Sequence, residues 1–310
     1  MSLLDSTASG VFVIAVTPFH DDGALDLAGI DRLTDFYLER GVTGLTVLGM
    51  MGEAPKLTAA ESAAVTERFL ARVAGRVPVV VGVSAPGFAA MGELAAKVMD
   101  MGASGVMIAP QPSLRTDDQI VGYYANAAKA IGAATPFVLQ DYPLTTTVQI
   151  TPQVIRRVVE ANPNCVMLKH EDWPGLAKIS ALRGFEADGS MRHISILTGN
   201  GGLFLDFEMA RGADGAMTGF AFPEMMVDVV AAHARGDVAR AHDVFDAYLP
   251  LARYEQQPGL GLTVRKYVLA KRGAIASAAL RAPGAKLSAA DVADVELLLT
   301  RQTARLKEIG

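Results

Sequence analysis

The sequence predicts an α/β fold, a (β/α)8 TIM barrel with a C-terminal helical extension. Three observations predict it. Eight short apolar runs alternate with longer amphipathic stretches. The runs end at residues 17, 49, 83, 110, 140, 169, 198 and 218, spaced 20 to 34 residues apart. After about residue 236 only helical patterns follow. Eight strand–helix units of this length close a barrel. A doubly wound sheet also alternates strand and helix. The count of eight favours the barrel, and no G-x-G-x-x-G string follows the first run. The expected division is a barrel over 1–235 and a helical extension over 236–310, packed on the barrel.

The strand candidates, in order, are VFVIAVT (11–17), GLTVLG (44–49), VPVVVGV (77–83), GVMIAP (105–110), PFVLQ (136–140), CVMLK (165–169), ISILT (194–198) and GAMT (215–218). Each is rich in Val, Ile, Leu or Met without clean polar alternation, as strands covered on both faces are. Between them lie helix signals. Asp26 heads an amphipathic stretch reaching about Arg40. Thr58 and Glu61 have capping-box spacing. Thr151 caps a helix with Pro152 at its first position. The extension reads as helices in DVARAHDVFDAYLPLARYE, GLTVRKYVLAKRG and SAADVADVELLLTRQTARLKE.

The 310 residues are 51% hydrophobic and 20% charged, enough to bury a sizeable core. The net charge of -5, with no basic block, argues against nucleic acid or an anionic membrane as partner. One cysteine, Cys165, allows no internal disulfide and fits a reducing compartment. MSLLDSTASG lacks the basic and apolar regions of a signal peptide. No apolar stretch approaches the ~18 residues of a membrane span. A soluble, cytoplasmic protein is expected.

In such a barrel the chemistry sits at the C-terminal strand ends. Thr17, the GMMGE loop (49–53), Gln111, QDYP (140–143), KHED (169–172), TGNGG (198–202) and MTGF (217–220) are the candidates. Lys169 is the sharpest. Alternation puts it on one face with Met167 and Cys165, looking into an apolar interior. Desolvation there lowers an amine's pKa, and a neutral amine attacks carbonyls. The commoner reading of such a lysine is a strand end snorkelling to water. Gln140 ends the preceding strand and either hydrogen-bonds a substrate oxygen or satisfies loop backbone. His170, Glu171 and Asp172 read by default as a solvated loop. The two glycines of GMMGE suit a turn that aims backbone N–H groups at an anion such as a carboxylate. The five histidines show no metal-ligand spacing, and neither a P-loop nor a G-x-S-x-G elbow is present. No metal or nucleotide is expected.

Several strings, in order, resemble the dihydrodipicolinate synthase/N-acetylneuraminate lyase superfamily of Schiff-base aldolases and lyases. AVTPF (15–19) looks like its first strand. GLTVLGMMGE (44–53) followed by LTAAES is similar to its G-x-x-G-E turn and following helix. GRVPVVVGV (75–83), VMLKHE, ARGADGAMTG (210–219) and RAPGAKLS (281–288) fit its later segments. The resemblance implies that Lys169 forms an imine with C2 of pyruvate or a pyruvate-derived 2-oxo acid, with no separate cofactor. It implies that the substrate carboxylate rests on Gly49, Met50, Met51 and Gly52, with Met217 lining the pocket. It also implies a homo-oligomer, a tetramer or dimer.

The departures from the family pattern are specific. Met50 and Met51 stand where hydroxyl residues are usual. The Y-N-x-P string reads Gln140-Asp141-Tyr142-Pro143, so an amide replaces a phenol. Gln111 stands within the family's P-Y-Y string, and Thr145 at the place of an arginine that meets a second carboxylate. A carboxamide holds a substrate or water but does not shuttle protons. The departures disfavour the synthase activity proper. They favour a lyase, aldolase or dehydratase, acting on a 2-oxo acid with a polar tail, as in the branch acting on 2-keto-3-deoxy sugar acids. Water held by Gln140, or Glu171, would then carry protons. A catalytically silent 2-oxo-acid binder is the alternative from another class.

Overall fold

The computed structural model describes residues 2–173 and 175–310. Eight parallel strands close into a barrel in chain order. The elements run β1 (Gly10–Ile14), α1 (Leu27–Glu39), β2 (Gly44–Val47), α2 (Ala59–Val73), β3 (Val79–Gly82), α3 (Phe88–Asp100), β4 (Gly105–Ile108), α4 (Asp117–Ile131), β5 (Phe137–Asp141), α5 (Pro143–Thr146), α6 (Pro152–Ala161), β6 (Cys165–His170), α7 (Leu176–Ala187), β7 (Ser195–Thr198), α8 (Leu205–Ala210), β8 (Gly215–Ala216) and α9 (Pro223–Ala234). Three helices follow: α10 (Val238–Glu255), α11 (Gly261–Lys271) and α12 (Ala289–Ile309). Every apolar run of the sequence overlaps one strand, and no strand reaches more than one residue beyond its run.

The caps fall where their chemistry puts them. Asp26 accepts from Gly29 N at the start of α1. Thr58 and Glu61 form a reciprocal capping box on α2. Thr151 caps α6 with Pro152 in its first turn. These side chains satisfy N–H groups that the first helical turn leaves without partners.

Two apolar layers result. The barrel interior holds Phe12, Ile14, Val80, Met107, Val138, Met167, Leu197 and Met217, with Leu4 packed among them. The larger layer lies between strands and helices. One expectation fails here. Cys165 belongs to that outer layer, not to the interior face of Met167 and Lys169. The register between β5 and β6 shifts, pairing Phe137 with Cys165 but Val138 with Met167. Val166 is the extra residue, and a bulge of this kind reverses the alternation on one side of it. Lys169 pairs with Gln140 beyond the bulge, so both strand ends open into the mouth together. No helix among the described residues is long and apolar enough to cross a membrane.

Candidate active site

A cavity of about 30 Å³ opens at the C-terminal ends of the strands. Lys169, Gln140 and Glu171 line it, with Met50 and Met51 from the turn after β2. Tyr142, Asn200, Thr218, Gln256 and Arg265 complete its polar wall. Lys169 is 5% exposed and does not reach solvent as a snorkelling strand end would. Its amine is also not alone in an apolar interior. Nζ lies 3.0 Å from Glu171 Oε2. The same carboxylate oxygen accepts Gln140 Nε2 at 2.7 Å.

Glu171 and His170 are therefore not a solvated loop, for both are buried. Glu171 N donates to Asp141 O and Asn200 Nδ2 donates to Glu171 O, so neighbouring strand ends hold it on both sides. Gly199 gives its side chain room: a Cβ there would lie 2.1 Å from Glu171 Cγ. His170 points the other way. Its Nε2 meets Gly175 O at 3.1 Å and its Nδ1 lies 3.8 Å from Asp141 Oδ2. Asp141 in turn accepts Lys178 Nζ at 2.7 Å. Glu208 of α8 lies in this same region, and burial pushes its carboxyl up to about 7 against the opposing pull of His170.

The turn after β2 is under backbone strain. Leu48 and Glu53, neither a glycine, take left-handed φ of 54° and 56° on either side of it. A short 3-10 helix, Met50–Gly52, lies between them. Gly52 N and Glu53 N donate within the turn, whereas the first N–H groups of such a helix have no intrahelical acceptor. Thr17 Oγ1 donates to Gly52 O at 2.5 Å and fixes the turn to the segment that follows β1. Glu53 is clamped by Lys266 Nζ at 2.6 Å, Lys56 Nζ at 2.8 Å and Arg281 N at 3.1 Å. Lys266 and Arg281 also flank the Phe19 ring, 4.5 and 4.7 Å from its centroid.

The residues expected to bind substrate thus divide. Met50 and Met51 face the cavity. Gly49 and Gly52 shape the turn without lining the cavity, Gly49 close against Ile14 of β1 and Gly52 against Ala15 just after it. Met217 is fully buried in the barrel interior below the cavity, and Thr218 and Gly219 line it instead. Gln111 donates to Ala85 O and lines a neighbouring groove, not this cavity. Among the described residues no group of three or more His, Cys, Asp or Glu could hold a metal ion.

Sequence reasoning missed Arg265 of α11. It is 1% exposed, and its Nε donates to Glu255 Oε1 at 2.5 Å. Glu255 also accepts Ala221 N at 3.1 Å, while burial pushes its carboxyl up and Arg265 draws it back. The available signal was a charge on a core stripe. Arg265 falls four residues from Gly261 and from Leu269, both buried. Tyr142 was visible only as part of a string. Burial raises its phenol above the usual value.

The family model described as "Dihydrodipicolinate synthetase family" matches residues 7–302. L-2-keto-3-deoxyarabonate dehydratase of Azospirillum brasilense is 30% identical over 282 residues, 88% of each chain. 4-Hydroxy-tetrahydrodipicolinate synthase of Sorangium cellulosum is 33% identical over 248 residues, covering 78% of this chain and 79% of its own. Among solved structures, dihydrodipicolinate synthase from Rhodopseudomonas palustris superposes with a TM-score of 0.96 at 61% identity, over 97% of this chain and all of its own. YagE of E. coli K12, solved in complex with pyruvate, superposes with a TM-score of 0.85 at 25% identity, over 95% of this chain and 98% of its own.

Proposed function

Because the chain belongs to the dihydrodipicolinate synthetase family, whose members are lyases of the aldolase and dehydratase type, we propose that it dehydrates a 2-keto-3-deoxy sugar acid through an imine on Lys169. Members of this family work on a lysine imine and need no separate cofactor. One observation carries the finer reading. A single oxygen of Glu171 is within hydrogen-bond reach of both Lys169 Nζ and Gln140 Nε2. A carboxylate exchanges protons and a carboxamide does not. Glu171 is therefore the proton carrier in place of the family's phenol, and Gln140 holds it in position.

The steps follow from that pair. Glu171 takes a proton from the Lys169 ammonium, and the free amine adds to C2 of the substrate. The carbinolamine loses its hydroxyl as water, with the proton returned by Glu171. The protonated imine then draws electrons from C3, where Glu171 removes a proton to give an enamine. The enamine expels the C4 hydroxyl, protonated as it leaves. Hydrolysis frees Lys169 and an unsaturated 2-oxo acid, so the net reaction is loss of one water. The carboxylate at C1 rests on the 49–52 turn at the N–H groups of Met50 and Met51, since Gly52 N is already bonded within it.

Pyruvate with borohydride is expected to label Lys169, read by intact mass and peptide mapping. Lys169→Ala is expected to keep the fold and lose turnover. No adduct with any 2-oxo acid would sink the mechanism and favour a silent binder. A panel of 2-keto-3-deoxy acids tests the reaction. A dehydrated product without pyruvate supports the reading, while pyruvate release makes the protein an aldolase. A second reading is the synthase itself, favoured by the 61% identity to the structure described as dihydrodipicolinate synthase. Efficient condensation of pyruvate with aspartate semialdehyde would establish it over ours. The reading also expects a homotetramer or dimer and a cytoplasmic location, checked by light scattering and fractionation.

A further inference from the structure

We propose that Arg265 selects the substrate by donating to a hydroxyl oxygen of its tail, beyond C3, so that the site takes polyhydroxylated 2-oxo monocarboxylates. This deepens the dehydratase reading and rests on it for the identity of the head group. Arg265 Nη1 is buried and has no hydrogen-bond partner among the described residues. Its Nε is occupied by Glu255, which fixes the plane of the guanidinium. The free edge lies against Gly219, on the cavity wall. A Cβ at 219 would stand 2.2 Å from Nη1, so the glycine leaves the space that the guanidinium fills. A buried guanidinium N–H without an acceptor is costly. A ligand oxygen at this wall removes that cost.

Charge decides between a hydroxyl and a second carboxylate. The two cations of the wall each have an anion already, Lys169 with Glu171 and Arg265 with Glu255. A substrate with one carboxylate adds one negative charge to a balanced site. A dicarboxylate adds two, with no unpaired cation on the wall to meet the second. The other polar groups there are Tyr142, Asn200, Thr218 and Gln256. These hydroxyls and amides both donate and accept, which matches a run of alcohols. Apolar Ile14, Met50 and Met51 supply the rest of the lining.

The test compares two ligands with the same head group, 2-keto-3-deoxygluconate and 2-oxobutyrate, which lacks hydroxyls. Affinities are measured calorimetrically on the full chain and on Arg265→Met. The unmodified protein is expected to prefer the hydroxylated acid, and the variant to lose about tenfold or more of that preference. Should Arg265→Met fail to fold, Gly219→Ala pushes the guanidinium off the wall without removing its charge, and the same loss is expected. A preference retained within twofold overturns the proposal. So does an unmodified protein that binds both acids equally, or one that prefers a 2-oxo dicarboxylate. The borohydride adduct is a separate readout. Its absence from Lys169 ends the imine reading, while the ligand comparison still decides the role of Arg265.

Discussion

Glu171 is the residue on which the proposed chemistry turns, and its neighbours make it testable. Glu171→Gln keeps the shape and the Asn200 contact to its backbone but removes the proton carrier. Turnover is expected to fall by about 10²- to 10⁴-fold, with ligand affinity changed far less. Equal losses in kcat and affinity would show that the carboxylate only holds substrate. The sequence made part of this legible. Lys169 stood out because an apolar run ended on it at one of eight strand ends, but that pattern alone favours a solvated strand end, and the family resemblance made it the candidate nucleophile. Glu171 was visible as a charge two residues on, but its partner Gln140 comes from 31 positions earlier. Pairing across strands is a tertiary fact, and local periodicity is silent on it. Arg265 was less legible still, because it enters from a helix outside the eight repeats.

At the level of elements, alternation worked where the ladder is regular and failed at the Val166 bulge. The extra residue turned Cys165 outward without moving Lys169. A bulge leaves little mark on a run as uniformly apolar as CVML. Behind the strands, α8 carries a different consequence. Glu208 has its folded-state pKa raised from 4.5 to about 7. Its stabilising contribution, the buried neutral carboxyl, is fully present below about 4.5 and is lost as pH rises through about 7. Unfolding stability should therefore decline across that window, by up to roughly 3 kcal/mol from this group. Glu208→Gln is expected to flatten the decline and to be the more stable protein at pH 8. Denaturant titrations at pH 5 and pH 8 check it, and a variant with an unchanged slope would show that Glu208 does not cause it.

On the scale of the whole molecule, the barrel and the helices after it share one site. Arg265 and Lys266 are consecutive on α11, yet one reaches the cavity wall and the other clamps Glu53 beneath the strained turn. The Glu53 and Lys266 side chains are 1% and 0% exposed. Breaking such a pair strands a buried charge, at a cost of about 3–5 kcal/mol. Lys266→Met should lose stability on that scale by urea unfolding, and the double variant with Glu53→Gln should lose less than the two single losses together. Strictly additive losses would mean that the clamp is not a unit.

That clamp also sets an order in time. A ribosome makes Lys169 and all eight strands before it reaches α11. Until α11 has been made and has docked, Lys169 stands without the part of the cavity wall that Arg265 supplies and without the Lys266 anchor of the turn after β2. On the proposed reading, the chain should gain selectivity only once α11 has docked.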